Sequence, residues 1–425
     1  MSAVPRQPFL DPLYGSIALD EPLLALTRTP AIQRLRHVRL SNIDSIDIPA
    51  IANLSRFEHV LGVAYLASEA GFRGGLTPHQ DLVLRSSALL HDWAITSFGH
   101  LVEEALQYVG TRFNHEEKLA QILLSPQSSE IGGADLQILV GRESKLRDWA
   151  RRYGGGSGQD TLTDVMDCIR GRGMMGQAIA GTIDLDNIDN VFRMAFHMGL
   201  SVDREVPRRL ARAMVGLGAN RSSPLFRRSA EDDIQAWRNA RRDVYEHLML
   251  SERDFTGKLM MLFAAIRAFE ANEITNDDWS LVDHEFVMRL LGSSTSDVTE
   301  AAQRWIAGEL WDRTPLRWMS GDRPSYPALL EFSRRLGEVL GRPCLAYGIK
   351  DKRDRQLSIE YDDGTRAVYG ETPNQWVLGV GSPRRERFTS AEVRRVIEEA
   401  VIQFSTEPLG LAEKREHRVA QESLF

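Results

Sequence analysis

An apolar run, Ala88-Leu89-Leu90, ends in His91-Asp92, and that junction constrains the chain more than any other feature. A buried helix that closes on an imidazole beside a carboxylate carries a large desolvation cost unless something binds there. A divalent cation satisfies both groups at once. A second histidine, His59, lies one helix-hairpin upstream in Ser55-Arg56-Phe57-Glu58-His59-Val60-Leu61-Gly62-Val63, and Asp186 closes Ile183-Asp184-Leu185-Asp186. His59, His91, Asp92 and Asp186 together form a mixed nitrogen and oxygen donor set with positions left open for water or phosphate.

These words and their spacing resemble the HD superfamily of metal-dependent phosphohydrolases. The segment Arg56-Phe57-Glu58-His59-x-Leu61-Gly62-Val63 is similar in particular to the deoxynucleoside triphosphate triphosphohydrolases. The resemblance covers residues 10 to 275. It implies one divalent metal per site (Mn, Fe, Mg, Co or Zn) and a dNTP substrate, cleaved to deoxynucleoside and intact triphosphate. It places Asp186 rather than Asp184 among the ligands and leaves Asp184 and Asp189 as helix-start or supporting carboxylates. Such a metal lowers the pKa of water and polarises a phosphoryl oxygen. The departing sugar oxygen needs a proton from a positioned acid.

His100 and Glu103 or Glu104 are three or four residues apart, on one helix face, where a carboxylate can orient the imidazole. The resemblance implies the leaving-group role for His100, an acidic active-site position for Glu103 and a second pocket histidine at His115. It places Arg56 against the nucleotide. It also sends basic side chains from a late helix, here Arg238, Arg241 and Arg242, to the triphosphate. Asn190 stands where the family has a sugar-facing tyrosine. Ile95 replaces a catalytic histidine, Asn187 a basic residue and Met194 a pocket aspartate, while a sugar-reading glutamine aligns near Leu40. Either the pocket is rearranged, with His100 and His115 taking over proton transfer, or catalysis is weakened and the domain senses nucleotides.

At 425 residues, 43% hydrophobic and 26% charged, the chain is long enough for one large core and a smaller unit. Two distant cysteines, Cys168 and Cys344, offer no disulfide framework, which fits a reducing cytoplasm. No apolar run approaches a membrane span and the N-terminus lacks a signal-peptide core, so no membrane association is expected. A net charge of −7 argues against stable nucleic-acid binding but leaves room for a local basic pocket.

The expected fold class is mainly α: an HD-type helical catalytic domain followed by a small α+β C-terminal domain. Residues 1–30 read as an N-terminal arm and 31–315 as the helical domain, interrupted by a flexible glycine-rich loop at 152–159. Residues 320–407 read as the α+β domain, and 408–425 as a mobile polar tail. Within the α+β domain, strands are expected at Cys344–Ile349, Gln356–Tyr361, Arg366–Tyr369 and Gln375–Val380, and Thr389-x-x-Glu392 opens a last helix. Basic runs at Arg208-Arg209-x-x-Arg212 and Arg384-Arg385-x-Arg387 read as exposed charges.

The leading expectation is a metal-dependent dNTP triphosphohydrolase working as a homo-oligomer. An allosteric nucleotide, a partner protein and a role in antiphage nucleotide depletion are further implications of the resemblance. The rivals are a nucleotide monophosphatase or phosphodiesterase of the same fold, and a nucleotide-sensing regulatory subunit.

Overall fold

The computed structural model describes residues 8–42, 45–124, 144–217, 224–354, 356–370, 374–383 and 386–413. Helices dominate it, with a smaller α+β part at the C-terminal end, in agreement with the expected class. Among the described residues, no helix is long and apolar enough to cross a membrane.

Three helices frame the site. The first, Arg56–Glu69, starts where the Ser55 hydroxyl accepts from the Glu58 N–H, and the second, Pro78–Leu90, starts at a Thr77/Gln80 capping box. The third, Leu185–His197, is capped by Asp184, whose carboxylate accepts from the Asn187 N–H. The first packs against both others. Their inner faces bury Val60, Val63, Leu84, Leu89, Ile188 and Phe192 in one continuous apolar core. The helix Glu252–Glu270 runs through that core and packs on Leu101–Tyr108 and Ser296–Ile306.

In the C-terminal part, Gln375–Ser382 is the central strand of a five-stranded antiparallel sheet. It pairs with Leu345–Lys350 on one edge, and with Arg317–Ser320 and Asp312–Arg313 on the other. Strand alternation explains how this sheet is sandwiched. Ala346, Trp376, Leu378 and Val380 face a second core beneath the helices Tyr326–Leu340 and Ser390–Phe404. Leu345, Tyr347, Ile349 and Val377 join the core of the helical body instead. Gly379 permits this contact, because a Cβ there would stand 2.4 Å from the Phe255 ring. The pair Leu357–Glu360 and Arg366–Tyr369 forms a separate hairpin around Gly364.

Three expectations need correction. The N-terminal arm is a built element: Phe9–Asp11 and Gly15–Ile17 form an antiparallel hairpin, followed by the helix Glu21–Thr27. The glycine-rich loop is shorter than expected. Arg152–Gly154 finish a helix, and Gly155, Gly156 and Gly158 take left-handed conformations in a tight turn before the helix at Gln159. The tail begins as structure, since Pro408–Leu411 adds to the sheet beside Arg317–Ser320. Residues 414–425 and the pair Arg384-Arg385 lie outside the described residues.

Candidate active site

His59 occupies the first turn of its helix and is 1% exposed. Its Nδ1 lies 2.7 Å from Asp189 Oδ2, and Asp189 is itself held by Arg193 and by the Tyr14 hydroxyl at 2.8 Å. Arg193 is fully buried and reaches Asp11 at 2.8 Å and Glu58 at 2.6 Å. The N-terminal hairpin thus braces the carboxylate that orients His59. Gly62 makes the approach possible, because a Cβ there would meet Asp189 Oδ1 at 2.0 Å. His91 follows the last turn of Pro78–Leu90, and its Nδ1 donates to the Ala88 carbonyl at 2.8 Å.

With both Nδ1 atoms engaged by acceptors, both Nε2 lone pairs point into the same space. They are 3.3 Å apart. Asp186 Oδ1 lies 3.0 Å from the Nε2 of His59 and 3.6 Å from that of His91; Asp92 Oδ2 lies 3.8 and 3.5 Å away. Two facing lone pairs and two carboxylates repel one another unless a cation sits among them. Donors bound to one ion at about 2.1 Å stand about 3–3.5 Å apart, so the spacing suits a divalent metal. The electrostatics agree. Burial opposes charge on His91, yet Asp92 and Asp186 lift its pKa to about 9. Burial works against the Asp186 carboxylate too, but the two histidines hold its pKa well below the ordinary value.

Asp92 is also ion-paired to Arg56, whose Nη2 donates to the Leu40 carbonyl at 3.0 Å. The expected nucleotide-packing arginine is therefore tied to a candidate ligand. Asp184 is buried beside Asp186, and burial and that neighbouring charge raise its pKa to about 7.

The three expected catalytic residues come together in a second cluster. Glu103 Oε2 lies 2.9 Å from His100 Nδ1 and 3.1 Å from His115 Nδ1, with the rings 5.2 Å apart. Phe98 and Gly99, both at positive φ, turn the chain so that His100 precedes the helix Leu101–Tyr108. Burial resists the Glu103 carboxylate, but the two histidines bring its pKa down to about 2. Burial also opposes charge on His115; its ion pair with Glu103 outweighs this and raises its pKa. His100 goes the other way. Its ring is 41% exposed and lines the cavity, and desolvation lowers its pKa, with help from His115 and Arg56. Ile95, where the resemblance would put a histidine, is fully buried in the core.

His91, Asp92 and Asp186 of the first cluster and His100 and His115 of the second line one cavity of about 530 Å³, together with Asn187, Asn190, Met194, Tyr245, Lys258, Arg323, Tyr326, Tyr347, Lys350 and Lys352. Asn190 Oδ1 is buried there without a hydrogen-bond partner among the described residues. Arg241 is buried beside the cavity, on the Trp237 and Tyr245 rings, with Nη1 3.5 Å from Asn187 Oδ1. Arg238 turns to Asp354 at 3.1 Å, and Arg242 is 51% exposed beside Asn239 and Asp243. Helical geometry separates Arg241 and Arg242 by about 100°, so burying one sends the other outward. None of the three expected arginines, Arg238, Arg241 or Arg242, is among the residues that line the cavity. Lys258, Arg323, Lys350 and Lys352 are cations that the sequence reading missed. Lys258 carries a local signal, a lone lysine in the apolar stretch Phe255–Phe269.

The fold is similar to that of a phosphohydrolase from Bacteroides thetaiotaomicron, with a TM-score of 0.63 at 17% identity over 89% of this chain and 100% of that one. In sequence, 110 residues are 33% identical to the deoxynucleoside triphosphate triphosphohydrolase SAMHD1 of Danio rerio, covering 24% of this chain and 18% of that protein. Another 26% identity extends over 213 residues of the Gallus gallus SAMHD1, covering 45% of this chain and 34% of that protein. Each match spans about a third or less of the relative's own length. No family model matches the chain.

Proposed function

We propose that the chain is a metal-dependent phosphohydrolase that cleaves deoxynucleoside triphosphates to deoxynucleoside and triphosphate. The observation that carries this reading is the convergence of His59, His91 and Asp186, with Asp92 3.5 Å from His91 Nε2, at the cavity lined by the Glu103-linked histidine pair. The likeness to the two SAMHD1 proteins and the phosphohydrolase fold support the same chemistry.

His59, His91, Asp92 and Asp186 would hold one divalent ion, which supplies Lewis acidity and a more acidic water when bound. The protein's own groups do the rest. Asp189 and the Ala88 carbonyl set both ligand imidazoles in one tautomer, and Arg56 fixes Asp92. His100 and His115 share the acid role and protonate the sugar 5′-oxygen as it leaves. Asn190 offers its unpartnered oxygen to a sugar hydroxyl. Arg241 steadies Asn187 at the cavity edge.

The reading is tested by offering single and mixed dNTPs with Mn²⁺, Mg²⁺, Fe²⁺ or Co²⁺ and resolving the products by chromatography. Nucleoside plus triphosphate is the expected result. Inorganic phosphate released from monophosphates would replace the reading with a monophosphatase, and tight binding without turnover with a nucleotide sensor.

The histidine pair also fixes a pH dependence. Its working form carries one proton shared between the two rings. The pair takes up a second proton as pH falls through the His100 pKa, below the usual 6.5, and loses its only proton as pH rises through the His115 pKa, above 6.5. A plot of kcat/KM against pH is therefore bell-shaped, with its acid limb below and its alkaline limb above the ordinary histidine pKa. In Glu103→Gln the alkaline limb moves to lower pH, since His115 loses the charge that raises its pKa. An alkaline limb that stays in place removes the pair from proton transfer.

A further inference from the structure

The proposed chemistry leaves one group of cavity residues unused, and most of them come from the C-terminal part. Lys258 is 1% exposed and pairs with Glu104 at 2.9 Å, and the Tyr347 hydroxyl reaches the same Glu104 oxygen at 3.3 Å. The Arg323 guanidinium carbon stands over the Tyr326 ring, 4.1 Å from its centroid, and its buried Nη1 has no hydrogen-bond partner among the described residues. Gly348 packs beside it: a Cβ there would be tight against the Trp376 ring at 3.0 Å and in ordinary contact with Arg323 Cγ at 3.4 Å. Lys350 and Lys352 are exposed at the end of the strand, and Lys352 Nζ approaches the Tyr245 ring at 5.9 Å. Asp351 between them turns inward to Arg353 at 2.9 Å and does not neutralise them.

These cations sense one another. Burial lowers the Lys258 pKa against the pull of Glu104, and the charges of Lys352 and Arg323 lower it further. Glu104 offsets one of the four. The cavity is thus divided: Asp92, Asp184 and Asp186 surround the candidate metal centre, and Lys258, Arg323, Lys350 and Lys352 line the same space with Glu104 and Glu116. An unpartnered guanidinium nitrogen and flexible ammonium groups around one cavity suit the distributed charge of linked phosphates.

We infer that Arg323, Lys350 and Lys352, backed by Lys258, bind the phosphate chain of the substrate beyond the scissile phosphorus and select nucleotides with several phosphates. This inference rests on the hydrolase reading for where the cut falls. The ligand chemistry is a phosphate chain, free or attached to a nucleoside.

The test uses the full chain and measures binding of inorganic triphosphate, a dNMP and a dNTP by calorimetry, together with dNTP turnover. Arg323→Gln and the double variant Lys350→Ala/Lys352→Ala are compared with Arg394→Ala, an exposed arginine on the last helix. Each of the first two should weaken inorganic triphosphate and dNTP by about tenfold and raise KM more than it lowers kcat. The dNMP and the Arg394→Ala protein should be unaffected. Unchanged triphosphate affinity in both variants overturns the inference, and so does an equal loss for the dNMP. A dNTP that binds no tighter than inorganic triphosphate assigns the site to free polyphosphate and overturns the substrate role. Turnover with unaltered KM in the variants sinks this inference and spares the hydrolase reading. Variant-sensitive triphosphate binding without turnover does the reverse. Melting curves exclude unfolding as the cause.

Discussion

Replacing Asp92 by asparagine should reduce dNTP turnover by at least about 10³-fold while leaving the protein folded. The carboxylate lies 3.5 Å from His91 Nε2 and 3.8 Å from His59 Nε2, as a fourth candidate donor, and a metal's contribution to phosphoryl transfer is worth several kcal/mol. Asparagine keeps the size of the side chain and can still accept from Arg56. Alanine is a harsher change in this protein. Arg56 and Asp92 are 8% and 7% exposed, so Asp92→Ala leaves a buried guanidinium without its counter-ion. That loss costs about 3–5 kcal/mol on top of the lost metal contact. Steady-state turnover, metal content of the purified protein and a denaturation curve separate the two effects. Turnover by Asp92→Asn at the parent rate would exclude catalysis at this cluster. Adding Mn²⁺ should raise the melting temperature of the parent chain and barely move that of the variant.

Gly62→Ala is expected to be among the most damaging single-methyl substitutions in the chain. The added carbon would stand 2.0 Å from Asp189 Oδ1 and 2.2 Å from Arg193 Nη2. Neither atom can withdraw cheaply, because Asp189 and Arg193 are fully buried and bonded to His59, Tyr14, Asp11 and Glu58. Crowding a packed core costs about 1–3 kcal/mol, and disrupting a buried ion pair costs more. A stability loss of about 3 kcal/mol should appear as a lower urea midpoint at an unchanged slope. Metal affinity should fall about 10–100-fold, the usual effect of releasing a carboxylate that orients a ligand histidine. Gly74→Ala is the control, since a Cβ there meets nothing within 4 Å. Equal midpoints for the two variants would show that the Asp189 bracing is not rigid.

The donor cluster is legible in the sequence because His59 and His91-Asp92 sit in short words whose meaning is local. An apolar helix that ends in two polar ligand types announces a buried partner before any packing is known. The helix starts at Asp184 and Thr389 and the strand expected at Gln375–Val380, observed at Gln375–Ser382, are legible for the same reason: caps and alternation are near-neighbour properties. The bracing of His59 is not. It joins Tyr14 to Asp189 across 175 residues, and no local pattern marks Asp11 or Tyr14 as parts of a site. The cationic wall is equally hidden, because strand periodicity says that Tyr347 and Ile349 share a face but not what that face covers. Among the arginines of the helix Glu231–Leu250, sequence could not rank Arg238, Arg241 and Arg242. Their separation depends on which side of the helix meets Trp237 and Asn187.

The glycine against Phe255 has a consequence for how this polypeptide could be rebuilt. Its central strand and the long helix are cast against each other without a spacer, so the seam between the two halves runs through the cavity. A graft that lifted residues 320 onward onto another protein would leave Tyr347, Ile349 and Val377 wet and would carry away three of the chamber's positive charges. The C-terminal portion is a wall, and it cannot be transplanted as a module.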